Sequence, residues 1–432
     1  MDVVMRIRIF GTCLLISAFQ VTLGTAATIL VPDHRSTIQA GIDAARSGDV
    51  VSVRPGTYKE QLNLQGKAIV LRGAGARKTV IDGSDLGSHV RGAVVQFVQG
   101  EGVGTVLDGF TITGRKHRGL YESGGIQCSG SSPTIISCVV TENEGNGIHC
   151  FDAASPVITH CRISDNFGSG VYCYGDSDPV LTSCTISGND AYFGGGIYCN
   201  NSDPVITSCT ISDNSAHTLY GGGVSCNNSS PTLSNCTISG NRSAWPGGGI
   251  YCSLSDPILT NCLISGNDSE SAGGGLYFSY SSPELTNCLV TENSTERVGG
   301  GVCAESNSSP RFTYCTIADN TASEAGGIYS TQTTALYGSI VWGNHPADSY
   351  QQNLSTAFCN IEGGVPGQGN IEADPQFASY RDYDYLLEAG SPCIDAGSAE
   401  IPDGIRWPSW YPNRGRSDMG AWGGPDAAGW LR

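Results

Sequence analysis

Between residues 127 and 329 one position of the chain keeps returning at near-even spacing, as Gln127, His149, Tyr172, Tyr198, Ser225, Tyr251, Tyr277, Cys303 and Tyr329. A second set of rings, Phe167, Phe193, Tyr220 and Trp245, falls just before glycine-rich runs. Aromatic rings repeated at a regular rise make a platform on which sugar rings can stack, with hydroxyl groups at the rim for hydrogen bonds. The same pattern also suits tyrosines that fill strand positions and stack on one another. In an acidic chain one basic cluster stands out, Arg115-Lys116-His117-Arg118, which could neutralise a substrate carboxylate, supply a base, or balance nearby acids as a solvated loop. The candidate substrate-binding residues are therefore Tyr172, Tyr198, Tyr251, Tyr277, Phe193, Tyr220, Trp245, Arg115 and Lys116, and the partner expected is a polysaccharide or cell-surface glycan.

Single carboxylates recur as well. Asp165, Asp213, Glu292 and Asp319 alternate at one position with Gly188, Gly240 and Gly266, and interchange with glycine marks turn chemistry rather than acid catalysis. General acid/base hydrolysis of glycosides needs two facing carboxylates, and the chain has no Asp-Asp pair. The nearest calcium candidates, Asp152, Asp176 and Asp178, lie in successive turns without an evident partner. No cofactor or metal is assigned, and calcium stays open.

Cysteines form two further columns. One runs Cys128, Cys150, Cys173, Cys199, Cys226 and Cys252; the other runs Cys138, Cys161, Cys184, Cys209, Cys236, Cys262, Cys288 and Cys315. Each lies two residues from Ile, Val or Leu and so shares its inward face. Packed thiols, disulfides and a soft-metal site all remain open. Phe278, Ala304 and Ser330 in first-column slots, and Gly338 in a second-column slot, favour packing, and the spacing lacks Cys-x-x-Cys pairs. Cys303 takes an outward slot and is expected to be an exposed thiol.

These columns need a scaffold with a fixed rise. The prolines at 133, 156, 179, 204, 231, 257, 283 and 310 give a mean period of (310−133)/7, about 25 residues, and Asn143, Asn166, Asn189, Asn214, Asn241, Asn267, Asn293 and Asn320 keep step with them. Such a period indicates a solenoid. A leucine-rich repeat also fits the stretch Ile206 to Asn214, but its return leg needs a helix or a leucine-lined turn. Here the return is Gly-Gly-Gly-Ile-Tyr-Cys (194–199), which alternates as a strand does. Three short strands per turn predict an all-β fold, a single-stranded parallel β-helix with Asn stacked at one corner and glycine supplying positive φ at another. At the start, Ser36 and Gln39 read as a capping box for a short helix whose Ile38, Ile42 and Ala45 cover the open end of the stack.

From Ser36-Thr37-Ile38-Gln39 through Gly48-Asp49-Val50-Val51 to Pro55-Gly56-Thr57-Tyr58, and over nearly all of the repeats, the chain resembles the pectin-lyase-like, right-handed β-helix proteins exported by bacteria. Ser391-Pro392-Cys393-Ile394-Asp395-Ala396-Gly397 and Asp418-Met419-Gly420-Ala421-Trp422 are similar to the tails called choice-of-anchor Q. The resemblance implies a cap helix and a right-handed coil. It leaves activity open, because that superfamily hosts lyases, hydrolases, epimerases and adhesins alike.

Arg6 and Arg8 precede an apolar run from Ile9 to Leu23 and the small residues Gly24-Thr25-Ala26, which reads as a secretory signal, too short and too interrupted for a membrane span. The expected organisation is 1–26 signal peptide, 27–123 cap and irregular rungs, 124–344 regular repeats, and 345–432 C-terminal rungs and cap. A net charge of −17 disfavours nucleic acid as a partner. The expectation is a secreted, periplasmic or cell-surface protein that presents a sheet face to glycans. The alternative is a polysaccharide lyase or glycoside hydrolase, with no catalytic residue identified.

Overall fold

The computed structural model describes residues 26–87, 92–116, 123–346, 353–380, 383–401, 416–424 and 427. The signal segment before residue 26, and His117 and Arg118 of the basic cluster, lie outside the described residues.

The chain coils as a right-handed parallel β-helix in which each turn adds one strand to each of three sheets, of fourteen, eleven and thirteen strands. Val171–Tyr174, Val180–Thr182 and Thr185–Ser187 make one such turn. Register follows from the alternation of side chains: Ile163, Ile186, Ile211, Ile238 and Ile264 stack in line down one inner face, and Leu181, Ile206, Leu233, Leu259 and Leu285 down another. All of these are buried in one continuous core. A one-residue slip would turn every one of them outward, so the register is strongly specified.

Each corner is built by a different device. Between the fourteen- and thirteen-stranded sheets, one residue per turn adopts the left-handed conformation, for example Ser183 at φ 52° and Ser208 at φ 52°. The second-column cysteine follows it directly and so lies at the bend rather than within a strand. Its thiol donates back to the carbonyl two residues earlier, as from Cys184 to Thr182 at 3.4 Å. At the next corner, Asp165, Gly188, Asp213, Gly240, Glu292 and Asp319 all have φ between 55° and 64°, which explains their interchange. After it comes the expected asparagine ladder. Asn189 Nδ2 donates to Asn214 Oδ1 at 2.9 Å, Asn214 to Asn241 at 2.9 Å and Asn241 to Asn267 at 2.9 Å, and the same nitrogens reach core carbonyls such as Ile186 O at 3.0 Å. In the glycine triplets only the first residue follows the expectation of positive φ. The third is required by space, since a Cβ on Gly196 would stand 2.5 Å from the Gly223 carbonyl on the next turn.

At the N-terminal end the helix Ile38–Ala44 covers the coil with Ile38 and Ile42, as expected. Its cap differs. Thr37, not Ser36, is the N-cap and accepts from Ala40 N at 3.1 Å, while the Glu60 carboxylate, from later in the chain, accepts from Ile38 N at 2.8 Å and Gln39 N at 2.9 Å. At the other end the coil continues through Leu354–Ala357 and Asn360–Ile361. The tail then doubles back along the outside of the thirteen-stranded sheet. Leu386 and Trp422 pack with Leu289, while Leu387 and Met419 pack with Ile340. Asn287 Nδ2 donates to Ala421 O at 3.0 Å, and Ala421 N donates to Thr316 Oγ1 at 3.0 Å.

Candidate functional site

The regularity breaks at one corner. Asn166 is joined to the next strand by Phe-Gly-Ser-Gly (167–170), whereas one turn later Asn189 is joined by the longer Asp-Ala-Tyr-Phe-Gly-Gly-Gly (190–196), and later turns keep a long corner. The added residues hydrogen-bond turn to turn as a fourth, five-stranded ladder that starts at Asp190–Ala191 and ends at Ser294–Thr295. A wide stack therefore begins abruptly on a narrow one. In the step lies a cleft of about 340 Å³.

Phe167 and Ser169 line its narrow side; Asp190, Tyr192 and Phe193 form the wall, and His217 reaches in from the turn beyond. Phe167 is 58% exposed and Tyr192 55%, so both rings offer open faces. Phe193 is held more firmly, because its carbonyl accepts from Ser169 Oγ at 2.8 Å and its ring tilts against Tyr198 at 5.5 Å. The polar element is an imidazole–carboxylate contact. His217 Nε2 lies 2.6 Å from Asp190 Oδ1, and Nδ1 lies 3.4 Å from Ser215 Oγ. Asp190 and Ser215 are in-register neighbours on the new ladder, and His217 N donates to Ala191 O at 3.1 Å, so backbone pairing sets the spacing of all three. A site with open rings beside a paired imidazole and carboxylate can stack an apolar sugar face, bond its hydroxyls and move a proton.

The expected site residues divide. Tyr172 and Tyr198 occupy their outward column but are buried, their rings stacked at 4.8 Å and 28°. Tyr172 still lines the back of the cleft. Tyr251 and Tyr277 are half-buried and stack at 5.5 Å, with Tyr220 against Tyr251 at 4.2 Å and Trp245 edge-on to Tyr220 at 6.1 Å. Burial pushes the Tyr251 hydroxyl up to about 12, and burial together with the Glu305 carboxylate pushes Tyr277 up. Trp245 is 49% exposed and Phe193 half-buried. The structure thus brings Tyr172 and Phe193 to the cleft, while Tyr220, Trp245, Tyr251 and Tyr277 form a second aromatic group further along the coil.

Two expectations are corrected. Arg115 is 1% exposed, its backbone N–H donating to Asn143 Oδ1 at 3.2 Å and its Nε to Gly92 O at 3.0 Å, which takes it away from any surface a polymer could reach. Lys116 is exposed and pairs with Glu144, which directly precedes Gly145 and Asn146 of the cleft lining. Cys303 keeps its outward register between Tyr277 and Tyr329 yet is 0% exposed, because the long glycine corner folds over it: a Cβ on Gly299 would meet its Cβ at 2.9 Å. All seventeen described cysteines are free and buried. Asp178, one of the calcium candidates, accepts from Asp203 N at 2.6 Å and so bridges two turns. Among the described residues no group of three or more His, Cys, Asp or Glu has metal-site spacing. Asp190, Tyr192 and His217 were missed by the column reading, although the change in corner length at Asn189 marks where they are.

A family model described as "Right handed beta helix region" matches residues 96–257 and 243–363. No curated protein matches the chain. Among solved structures, the chain is similar to pectate lyase Pel9A at 11% identity, over 93% of this chain and 97% of that one, with a TM-score of 0.43. It is similar to the A-module of the Azotobacter vinelandii mannuronan C-5 epimerase AlgE6 at 16% identity, over 78% and 95%, with a TM-score of 0.42. It is similar to the PL6 family alginate lyase AlyGC at 13% identity, over 90% and 59%, with a TM-score of 0.46.

Proposed function

This chain belongs to the right-handed β-helix family, and we propose that it binds a glycan in the stepped cleft between Phe167 and His217, as an exported protein of the cell surface or periplasm. The observation that carries the reading is the placement of two exposed rings, Phe167 and Tyr192, with the Asp190–His217 contact across one cleft. Flat apolar faces with hydroxyl rims are what sugars present, and rings beside a few fixed polar groups are what recognises them. The second aromatic group at Trp245, Tyr220, Tyr251 and Tyr277 extends the same track along the coil axis, so a polymer rather than a single sugar is the partner. Export rests on the segment before residue 26, and the anchor-Q-like tail is read as the clasp that secures the last turns.

The second reading, a lyase or hydrolase, is favoured by one observation: a carboxylate holds the His217 imidazole in a fixed orientation, as a general base requires. The test for both is retention on a panel of neutral and acidic polysaccharides, with and without calcium, while absorbance is followed for the unsaturated product that only elimination makes and new reducing ends are assayed. Retention without unsaturated product or new reducing ends supports binding; unsaturated product supports a lyase and new reducing ends alone a hydrolase; neither retention nor product with any polymer removes the proposal.

A further inference from the structure

We propose that Ser215, His217 and Asp190 form an acyl-transfer site at the rim of the cleft, and that its substrate is an ester group carried on a glycan. The glycan part rests on the reading above; the acyl chemistry rests on the three side chains. Asp190 and Ser215 sit side by side on adjacent strands of the corner ladder. His217, two residues beyond Ser215, folds back so that its ring touches both, with Nε2 2.6 Å from Asp190 Oδ1 and Nδ1 3.4 Å from Ser215 Oγ. A carboxylate this close holds the ring proton on Nε2. The Nδ1 lone pair is then left facing the serine hydroxyl, at a separation within the looser range of resting nucleophile–base pairs. This is the division of labour of a Ser-His-Asp array, recognised by geometry and roles rather than by chain order.

Neighbouring turns show that the arrangement is not a general property of the corner. The equivalent serine further along, Ser294, donates directly to Asp268 Oδ1 at 2.6 Å with no imidazole between them. Arg242, on the turn after Ser215, is drawn toward Asp268 and Glu270, at 3.8 Å and 2.9 Å.

In the step proposed, Ser215 Oγ attacks the ester carbonyl carbon as its proton passes to His217 Nδ1. The tetrahedral adduct collapses, the bond from the acyl carbon to the sugar oxygen breaks, and that oxygen takes the proton from Nδ1 and leaves as a free hydroxyl. Water then attacks the acyl-serine carbonyl as its proton passes to Nδ1; the bond from the acyl carbon to Ser215 Oγ breaks, Oγ takes that proton back from Nδ1, and the carboxylic acid leaves. Ester rather than glycosidic bonds fit, because glycoside hydrolysis needs two facing carboxylates and, among the described residues, the cleft lining holds one, Asp190.

The test is covalent labelling of the full chain with a fluorophosphonate, peptide mapping of the adduct, and 4-nitrophenyl acetate hydrolysis. Both are compared across wild type, Ser215→Ala, His217→Gln and the control Ser294→Ala. The expected result is an adduct on Ser215, loss of labelling and hydrolysis by about a hundredfold or more in Ser215→Ala and His217→Gln, and no change in Ser294→Ala. No adduct at Ser215, or wild-type labelling in Ser215→Ala, would overturn the acyl-transfer site. Retention on the polysaccharide panel, measured on the same proteins, separates the two readings. Retained polymer without an adduct sinks only the acyl site, and an adduct without retained polymer supports that site and sinks its glycan substrate.

Discussion

The ring of Tyr220 lies parallel to that of Tyr251, 4.2 Å away and inclined by 12°. Tyr220 comes from the long corner, not from the strand column. In that column the in-register neighbour of both Tyr198 and Tyr251 is Ser225, whose small side chain leaves a gap. Tyr220 takes the place beside Tyr251 that a column ring would hold.

The two residues are therefore expected to be coupled. Tyr220→Ala should lose roughly 2 kcal/mol in urea unfolding, from lost stacking and a partly filled gap. Adding Ser225→Tyr to that variant should restore most of it, whereas Ser225→Tyr alone should destabilise because two rings compete for one space. Additive effects of the two changes would contradict the account.

Burial pulls the His149 imidazole down to about 4 from its ordinary 6.5, with Asp152 opposing weakly. The unfolded chain takes up this proton below about 6.5, while the folded chain resists until about 4. Stability from this residue is thus full above about pH 6.5 and is lost as the pH falls toward 4, by up to about 3 kcal/mol. His149→Tyr, which installs the column's usual ring, should flatten that part of the profile in urea titrations at pH 7 and pH 5. An unchanged slope would show that His149 is not the group responsible.

Burial drives thiols such as Cys262, Cys288 and Cys303 well above their usual range. Native protein should give almost no reaction with a thiol reagent, and unfolding without reductant should release all seventeen described cysteines. Fewer than about four reactive thiols on unfolding would mean that disulfides hold the columns.

Trp422 is buried against the flank of the coil with Leu289 and Leu386. Trp422→Ala should cost about 3–5 kcal/mol if the tail is part of the cooperative unit. A separate early transition of the tail, with the main transition unmoved, would show instead that it folds independently.

What could be read from the sequence was whatever repeats. Register, the asparagine ladder and the Asp/Gly interchange are nearest-neighbour properties, so their period is enough to place them. Local rules did less well where a partner arrives from far along the chain: Thr37 rather than Ser36 caps the helix because Glu60 takes the next two amides. Cys303 is covered by a corner whose path depends on the turn beside it, and Arg115 is drawn inward by carbonyls and amides of other turns. The tail's partners, such as Asn287 with Ala421, have no periodic trace at all. The cleft is an intermediate case. It arises from a change in the repeat, and a search for sameness passes over it.

The central claim is that the step between the narrow and wide turns binds a glycan through Phe167 and Tyr192, and retention on immobilised polysaccharide tests it most directly. Wild-type protein should be retained by at least one polymer, and Phe167→Ala combined with Tyr192→Ala should weaken that retention about tenfold or more, near 1 kcal/mol for each ring. Equal retention of the double variant and the wild type, at unchanged stability, would contradict it.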